Sequence, residues 1–193
     1  MHKALTIAPS EFILGGQKSG KSRRAEMLAQ HWLGMSPNHR ALLIATAQPW
    51  DEEMRARIAR HQADRAQRVP GMQTIEEPLA LAQTLAAHSR PDVLLVVDCL
   101  TLWLTNGMMP MHPQADATLD VESQVSALAE SISMATGPVV LVGNEIGMGV
   151  IPMGAEVRAF VDALGRLNQR VALVCARVTL MAAGLPLILK AAP

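Results

Sequence analysis

The sequence predicts a three-layer α/β fold in which a parallel sheet is covered by crossover helices. Three observations predict it. Short apolar runs alternate with longer helical patterns along the whole chain, as they do in repeated strand–helix–strand units. The run DVLLVVDCL at 92–100 is apolar almost throughout, as a strand buried on both faces requires. A glycine-rich loop joins the first run directly to the first helix.

In chain order, residues 12–14 (FIL) form a short strand leading into the loop. Residues 22–33 form a helix, with Ala25, Leu28, Ala29 and Leu33 spaced for one face. Residues 41–47 (ALLIATA) are a buried strand. Residues 51–65 are a charged helix whose first turn is acidic, where the helix dipole favours negative charge. A helix over 76–88 tolerates Pro78 near its start. The strand at 92–100 follows, then a Met- and Pro-rich connection over 107–118, either a surface loop or a soft wall for a bulky ligand or neighbouring subunit. A helix over 118–136 precedes a segment, 138–147, that starts as a buried strand. A long helix from 155 leads to a strand at 178–181, and LPLILK at 185–190 reads as a short edge strand.

The 193 residues suit one domain spanning 1–193, and half are hydrophobic, enough for a sizeable core. With two Phe, three Trp and no Tyr, aliphatic residues and twelve Met must fill it. Seventeen basic and seventeen acidic residues balance, so charge provides no case for a nucleic-acid partner. Cys99 and Cys175 are isolated thiols without metal-ligand spacing, which fits a reducing, cytoplasmic setting. The first residues lack a secretory apolar core, and no apolar run approaches the roughly 18 residues of a membrane span.

The loop carries Gly15-x-x-x-x-Gly20-Lys21-Ser22, the complete pattern of a phosphate-binding loop. Backbone N–H groups of Gly15, Gly16, Gln17, Lys18, Ser19 and Gly20 must converge on phosphate oxygens, and glycines permit that approach. The helix that follows adds its N-terminal donors. Lys21 can bridge terminal phosphates, and the Ser22 hydroxyl can join a magnesium shell. Asp98 ends the apolar run VLLVVD, expected beside the loop, where a carboxylate would hold the same ion.

Of six histidines, His2, His31, His39, His88 and His112 have no chemical company. His61 shares a helical stripe with Met54 and Ile58 and has Arg57, Arg60 and Arg65 near it, so it is expected to face protein or a cleft rather than bulk water. Spacing alone leaves it either a half-buried structural histidine or a nucleophile acting on a polyphosphate.

Several stretches together resemble one family. They are ILGGQKSGKSRRAE, IATAQPWDEEMRARIARHQADR, TIEEPLAL, VVDCLTLWLTN, LVGNEIGMGVIP, RAFVDALGRLNQRVA and GLPLILK. In this order, over residues 12–190, the chain is similar to the bifunctional adenosylcobinamide kinase / adenosylcobinamide-phosphate guanylyltransferase family of cobalamin biosynthesis. The resemblance implies a RecA-like P-loop sheet with an antiparallel edge and a homotrimer. It implies two reactions: ATP or GTP phosphorylates the aminopropanol arm of adenosylcobinamide, then GTP donates GMP to that phosphate through a GMP–histidine intermediate. The family pattern Glu-Met-x-x-Arg-Ile-x-x-His falls on Glu53, Met54, Arg57, Ile58 and His61, making His61 the nucleophile. Implied nucleotide contacts are the loop, Thr46, Ala47, Gln48, Gln62, Ala63, Asp64, Arg65, Glu76 (in preference to Glu77) and Asp98.

The chain departs from the family at Gln17-Lys18, where Ala-Arg is usual, so Lys18 keeps charge without a planar fork. Val161 replaces a usual arginine, while Arg158 and Asp162 remain. The alternative readings are a monofunctional P-loop small-molecule kinase with a structural His61, and a nucleotide switch. Against the switch, no Asn-Lys-x-Asp base-reading motif is present.

Overall fold

The computed structural model describes residues 5–109 and 120–191. Most of the connection expected at 107–118, the first two residues of the helix expected from 118, and His2 and His112 lie outside them. Among the described residues the elements are β1 (Ser10–Gly15), α1 (Lys21–Met35), β2 (Arg40–Ala45), α2 (Glu52–Arg68), β3 (Gln73–Glu76), α3 (Leu81–His88) and β4 (Val93–Asp98). They continue with α4 (Leu100–Met108), α5 (Val121–Ser133), β5 (Val139–Asn144), α6 (Ala155–Val174), β6 (Arg177–Ala182) and β7 (Leu185–Lys190).

All seven strands form one sheet in the order β3-β2-β4-β5-β1-β6-β7. β1 to β6 run parallel, and β7 returns antiparallel along β6 as the expected edge. Successive side chains of a strand point to opposite faces, which divides the core in two. Phe12, Leu14, Ile44 and Leu95 pack with α3, α4, α5 and α6. Ile13, Leu43, Leu94 and Val96 pack with Ala25, Leu28, Ala29 and Trp32 of α1, and Val69 closes the end of α2 onto the same layer. The sandwich therefore has three layers, as the alternation of runs and helices predicts.

Four expectations are corrected. Residues 73–76 form an edge strand, and the third helix starts at Leu81 rather than at 76. The edge strand pairs only with β2 and half-buries only Ile75 among its four residues, so it leaves almost no apolar signature. The run at 92–100 is not one strand: β4 stops at Asp98, and α4 begins at Leu100. α4 buries Leu100, Trp103 and Leu104, the i, i+3, i+4 spacing of a helix, hidden because no Gly or Pro separates it from the strand. β4 is not the neighbour of β1, since β5 lies between them. Finally, His61 is exposed and α2 buries none of its residues; Met54 and Ile58 are half-buried, but the stripe ends with them.

β1 also buries a charge. Glu11 is 1% exposed and accepts from Arg24 Nε (2.7 Å), Thr179 Oγ1 (2.8 Å) and Arg177 (3.2 Å). The carboxylate thus ties α1 and β6 to the strand that carries the loop. Removing one partner would leave a buried charge under-compensated.

Candidate active site

The loop between β1 and α1 is shaped by its glycines. Gly15 has φ +153°, and a Cβ there would lie 2.5 Å from Met181 O and 2.6 Å from Ser19 Oγ. Gly20 caps α1 at φ +101°, and Lys18 adopts a left-handed φ of 56°. Ser19 N donates to Gly16 O (3.3 Å) and Lys21 Nζ donates to Gly16 O (2.7 Å), closing the loop on itself. Ser19 Oγ is buried with no hydrogen-bond partner among the described residues. The β6–β7 turn braces the loop from outside, with Gly184 N donating to Ser19 O at 3.0 Å. Lys21 is buried. Burial lowers its ammonium below the usual lysine value; Cys99 and Asp98 oppose that shift and Arg57 adds to it.

Parallel register brings the strand ends to one edge. Ala45 pairs with Glu76 on one side and Asp98 on the other, while Gly15 pairs with Asn144. Burial raises the Asp98 carboxyl above the ordinary aspartate range; the Ser22 hydroxyl and then the charges of His61, Lys21 and Arg65 pull it back. Two helices thus act on one carboxylate: α1 through Lys21 and Ser22, α2 through His61 and Arg65. Arg57, His61 and Arg65 recur every four residues and so share one face of α2; the charge of Arg57 acts on Lys21, and those of His61 and Arg65 act on Asp98. Cys99, beside Asp98, is a buried thiol pushed up to about 11 by burial and by that carboxylate.

The remaining expected residues divide. Thr46 is fully buried: its hydroxyl donates to Cys99 O (2.7 Å) and accepts from Cys99 N (2.9 Å). Its carbonyl accepts from Asn106 Nδ2 (2.8 Å). These bonds hold the end of β2 to the end of β4. Ala47 and Gln48 follow, half-buried. Gln62 and Ala63 are exposed on α2. Asp64 pairs with Arg68 (3.2 Å), which also reaches Glu26 of α1 (3.2 Å). Glu77 Oε1 accepts from Leu79 N and Ala80 N (2.9 and 2.7 Å), so Glu77 shapes the turn before α3. Glu76 is exposed at the strand end. Strands lie about 4.8 Å apart, so β3 stands roughly 19 Å across the sheet from β1, a span on the scale of an extended nucleoside triphosphate.

Sequence reasoning assigned no role to residues after β5. Asn144 N donates to Thr101 Oγ1 of α4 (2.9 Å), Asn144 O accepts from Asn168 Nδ2 of α6 (3.1 Å), and Glu145 N donates to Gly15 O (3.1 Å). The Asn-Glu stretch and the Gly-x-x-Asn-Gln stretch, far apart in sequence, therefore meet beside the loop. Arg158, retained in the departure noted above, donates to Pro152 O and Met153 O and fastens the segment after β5 to α6. Among the described residues no group of three or more His, Cys, Asp or Glu could hold a metal ion.

A family model described as cobinamide kinase / cobinamide phosphate guanyltransferase matches residues 11–189. The bifunctional adenosylcobalamin biosynthesis protein CobP of Pseudomonas aeruginosa is 47% identical over 183 residues, covering 95% of this chain and 98% of that protein. The bifunctional adenosylcobalamin biosynthesis proteins CobU of Salmonella typhimurium and Escherichia coli are 33% and 30% identical, each over 92% of this chain and 98% of their own length. Among solved structures, the flagellar accessory protein FlaH of Methanocaldococcus jannaschii aligns with a TM-score of 0.54 at 10% identity, over 96% of this chain and 80% of that one. At that identity the likeness speaks to the fold alone.

Proposed function

The chain belongs to the cobinamide kinase / cobinamide phosphate guanyltransferase family, and from that premise we propose how its residues divide the two reactions of cobalamin biosynthesis. The observation that carries the reading is the loop closed by Lys21 around the buried Ser19 hydroxyl, which has no hydrogen-bond partner among the described residues, with Asp98 at the same sheet edge influenced by Ser22 and Lys21 of one helix and by His61 and Arg65 of another.

In the first reaction the loop amides and Lys21 hold the γ-phosphate of ATP or GTP. A phosphate oxygen would also satisfy the buried Ser19 hydroxyl. The hydroxyl of the adenosylcobinamide arm attacks the γ-phosphorus, and the nucleoside diphosphate leaves with the bonding electrons. In the second reaction a neutral ring nitrogen of His61 attacks the α-phosphorus of GTP, and the bond to the pyrophosphate oxygen breaks. Arg57 and Arg65, on the same face of α2, and Lys21 offset the charge that develops on pyrophosphate. An oxygen of the corrinoid phosphate then attacks the phosphorus, the P–N bond breaks, and His61 is released neutral with adenosylcobinamide-GDP as product. Glu76, at the far edge, is the residue suited to accept hydrogen bonds from the guanine or ribose.

Ser22 and Asp98 suit Mg²⁺. They provide a hydroxyl and a carboxylate, both hard oxygen donors, and the carboxylate's charged form is disfavoured by burial until a cation joins it. Two protein oxygens are few, which matches an ion that completes its shell with phosphate oxygens and water. When bound, Mg²⁺ would neutralise charge on the triphosphate.

The proposed assembly is a homotrimer. It is supported by the open edge at β7, where Leu185, Leu187, Ile188 and Leu189 are all exposed; apolar edges of this kind are normally covered. Light scattering of the purified protein would test it, and a monomer would overturn it. No helix among the described residues is long and apolar enough to cross a membrane.

The decisive experiment is incubation with GTP labelled at the α-phosphorus. Acid-labile, base-stable label on the wild type and none on His61→Ala is expected. An unlabelled wild type would remove the covalent step and leave a kinase with a structural His61.

A further inference from the structure

We propose that Glu145 is the general base of the phosphorylation step, taking the proton of the acceptor hydroxyl as it attacks the γ-phosphate. The proposal rests on the two-reaction reading above and names a residue that reading leaves unassigned.

An alcohol that becomes a phosphate ester must lose its proton, and a carboxylate within reach of the attacking oxygen serves that need in phosphoryl transfer. Among the described residues four carboxylates lie on or just after the C-terminal ends of the parallel strands: Glu76, Glu77, Asp98 and Glu145. Three are unsuited. Glu77 is held by two backbone amides. Glu76 stands four strands from the loop, roughly 19 Å. Asp98 faces Ser22 and Lys21 as the candidate ion ligand. Glu145 remains, and its backbone is joined directly to the loop. β5 is the direct neighbour of β1, and Glu145 N bonds to Gly15 O, the first residue of the loop.

Its placement is also prepared. The residue before it is bonded to α4 through Thr101 and to α6 through Asn168. Its own Oε1 accepts from Gly147 N at 2.7 Å, which orients the carboxylate and leaves Oε2 without a hydrogen bond from the described residues. The side chain is half-buried, so it remains open to a substrate. Support from three elements is the arrangement a catalytic group needs to hold its geometry.

The step balances. The acceptor oxygen forms a bond to the γ-phosphorus while the bond from that phosphorus to the β,γ-bridging oxygen breaks. The nucleoside diphosphate leaves with the electron pair, and the hydroxyl proton passes to Glu145 and then to solvent. The second reaction has no such need, because its acceptor is already an ionised phosphate. The two activities should therefore separate.

The test is Glu145→Gln, which retains an oxygen for Gly147 N and removes the base. Phosphorylation of adenosylcobinamide is expected to fall about 10²- to 10⁴-fold in kcat. Guanylyl transfer from GTP to pre-phosphorylated acceptor should stay within about threefold of wild type, since no transition-state contact for it has been removed. Glu145→Asp, which restores a carboxylate on a shorter arm, should recover part of the phosphorylation. Parallel loss of both activities, or phosphorylation unchanged in Glu145→Gln, would overturn the assignment. A wild type that guanylylates the phosphate but never phosphorylates the alcohol would overturn the two-reaction reading itself, and the proposal with it.

Discussion

Helices α1 and α2 both begin near the C-terminal edge of the sheet, yet they are held in different ways. α1 buries Lys21, Ala25, Leu28, Ala29 and Trp32 against the sheet, and its Arg24 reaches a buried glutamate on β1. α2 buries none of its residues. Its anchors lie at its ends: Asp51 caps the first turn by accepting from Met54 N (2.7 Å), and Arg68 and the buried Val69 hold the last turn. A cradle that must present converging amides gains from rigidity, because pre-oriented donors need no reorganisation during reaction. If His61 is the proposed nucleophile, which must reach a phosphorus and then pass GMP to a second substrate, it would gain from a helix that can shift.

The largest effect that would test this contrast is Lys21→Ala. If one cradle serves both reactions, both should fall about 10³-fold or more in kcat/KM. One activity left intact would mean two separate triphosphate sites. His61→Ala comes next. It should abolish guanylyl transfer while phosphorylation, assayed alone, stays within about threefold. Equal loss of both would place His61 in the cradle and erase the distinction between the helices.

Gly15→Ala probes rigidity directly. Its Cβ would meet the Met181 carbonyl at 2.5 Å in a backbone conformation at φ +153°, so urea unfolding should show a loss of about 1–3 kcal/mol. Amide hydrogen exchange should then separate the helices without any mutation. Amides in the middle of α2 should exchange faster than those in the middle of α1, by about tenfold or more, because few apolar contacts oppose their opening. Equal protection would show α2 to be as firmly seated as α1. The smallest effect is expected from Arg68→Ala, which removes the pairs to Glu26 and Asp64. Both are partly exposed, so the stability change should stay below about 1 kcal/mol. A rise in guanylyl-transfer rate in that variant would indicate that the Arg68 tether restrains α2 during transfer.

Much of this arrangement was legible in the sequence, and the losses have identifiable causes. The loop declared itself because its chemistry is local: the glycines, Lys21 and Ser22 lie within eight residues and need no distant partner. The helix of His61 was legible from its acidic first turn and periodicity, but its exposure was not. The Met54–Ile58 stripe that suggested burial meets too little protein to cover a third residue. α4 was hidden because a buried strand and a buried helix are equally apolar and run on without punctuation. The roles of Asn144, Glu145 and Asn168 were invisible for another reason. The bonds that seat them beside the loop join positions more than twenty residues apart, and no spacing rule encodes that.

By itself the amino-acid sequence determined the kind of fold, the phosphate-binding loop, and the residue types available for transfer chemistry. All of these follow from short-range patterns: alternating burial, helical periodicity, and backbone freedom at glycine. Only the tertiary structure decided that β5 stands between the loop strand and Asp98, that Glu77 is committed to a turn while Glu76 is exposed at the edge, and that Glu145 lies against the loop. Strand order and register arise from packing between distant segments. A chain reveals what each segment prefers, but which segments become neighbours is settled by the core they bury together.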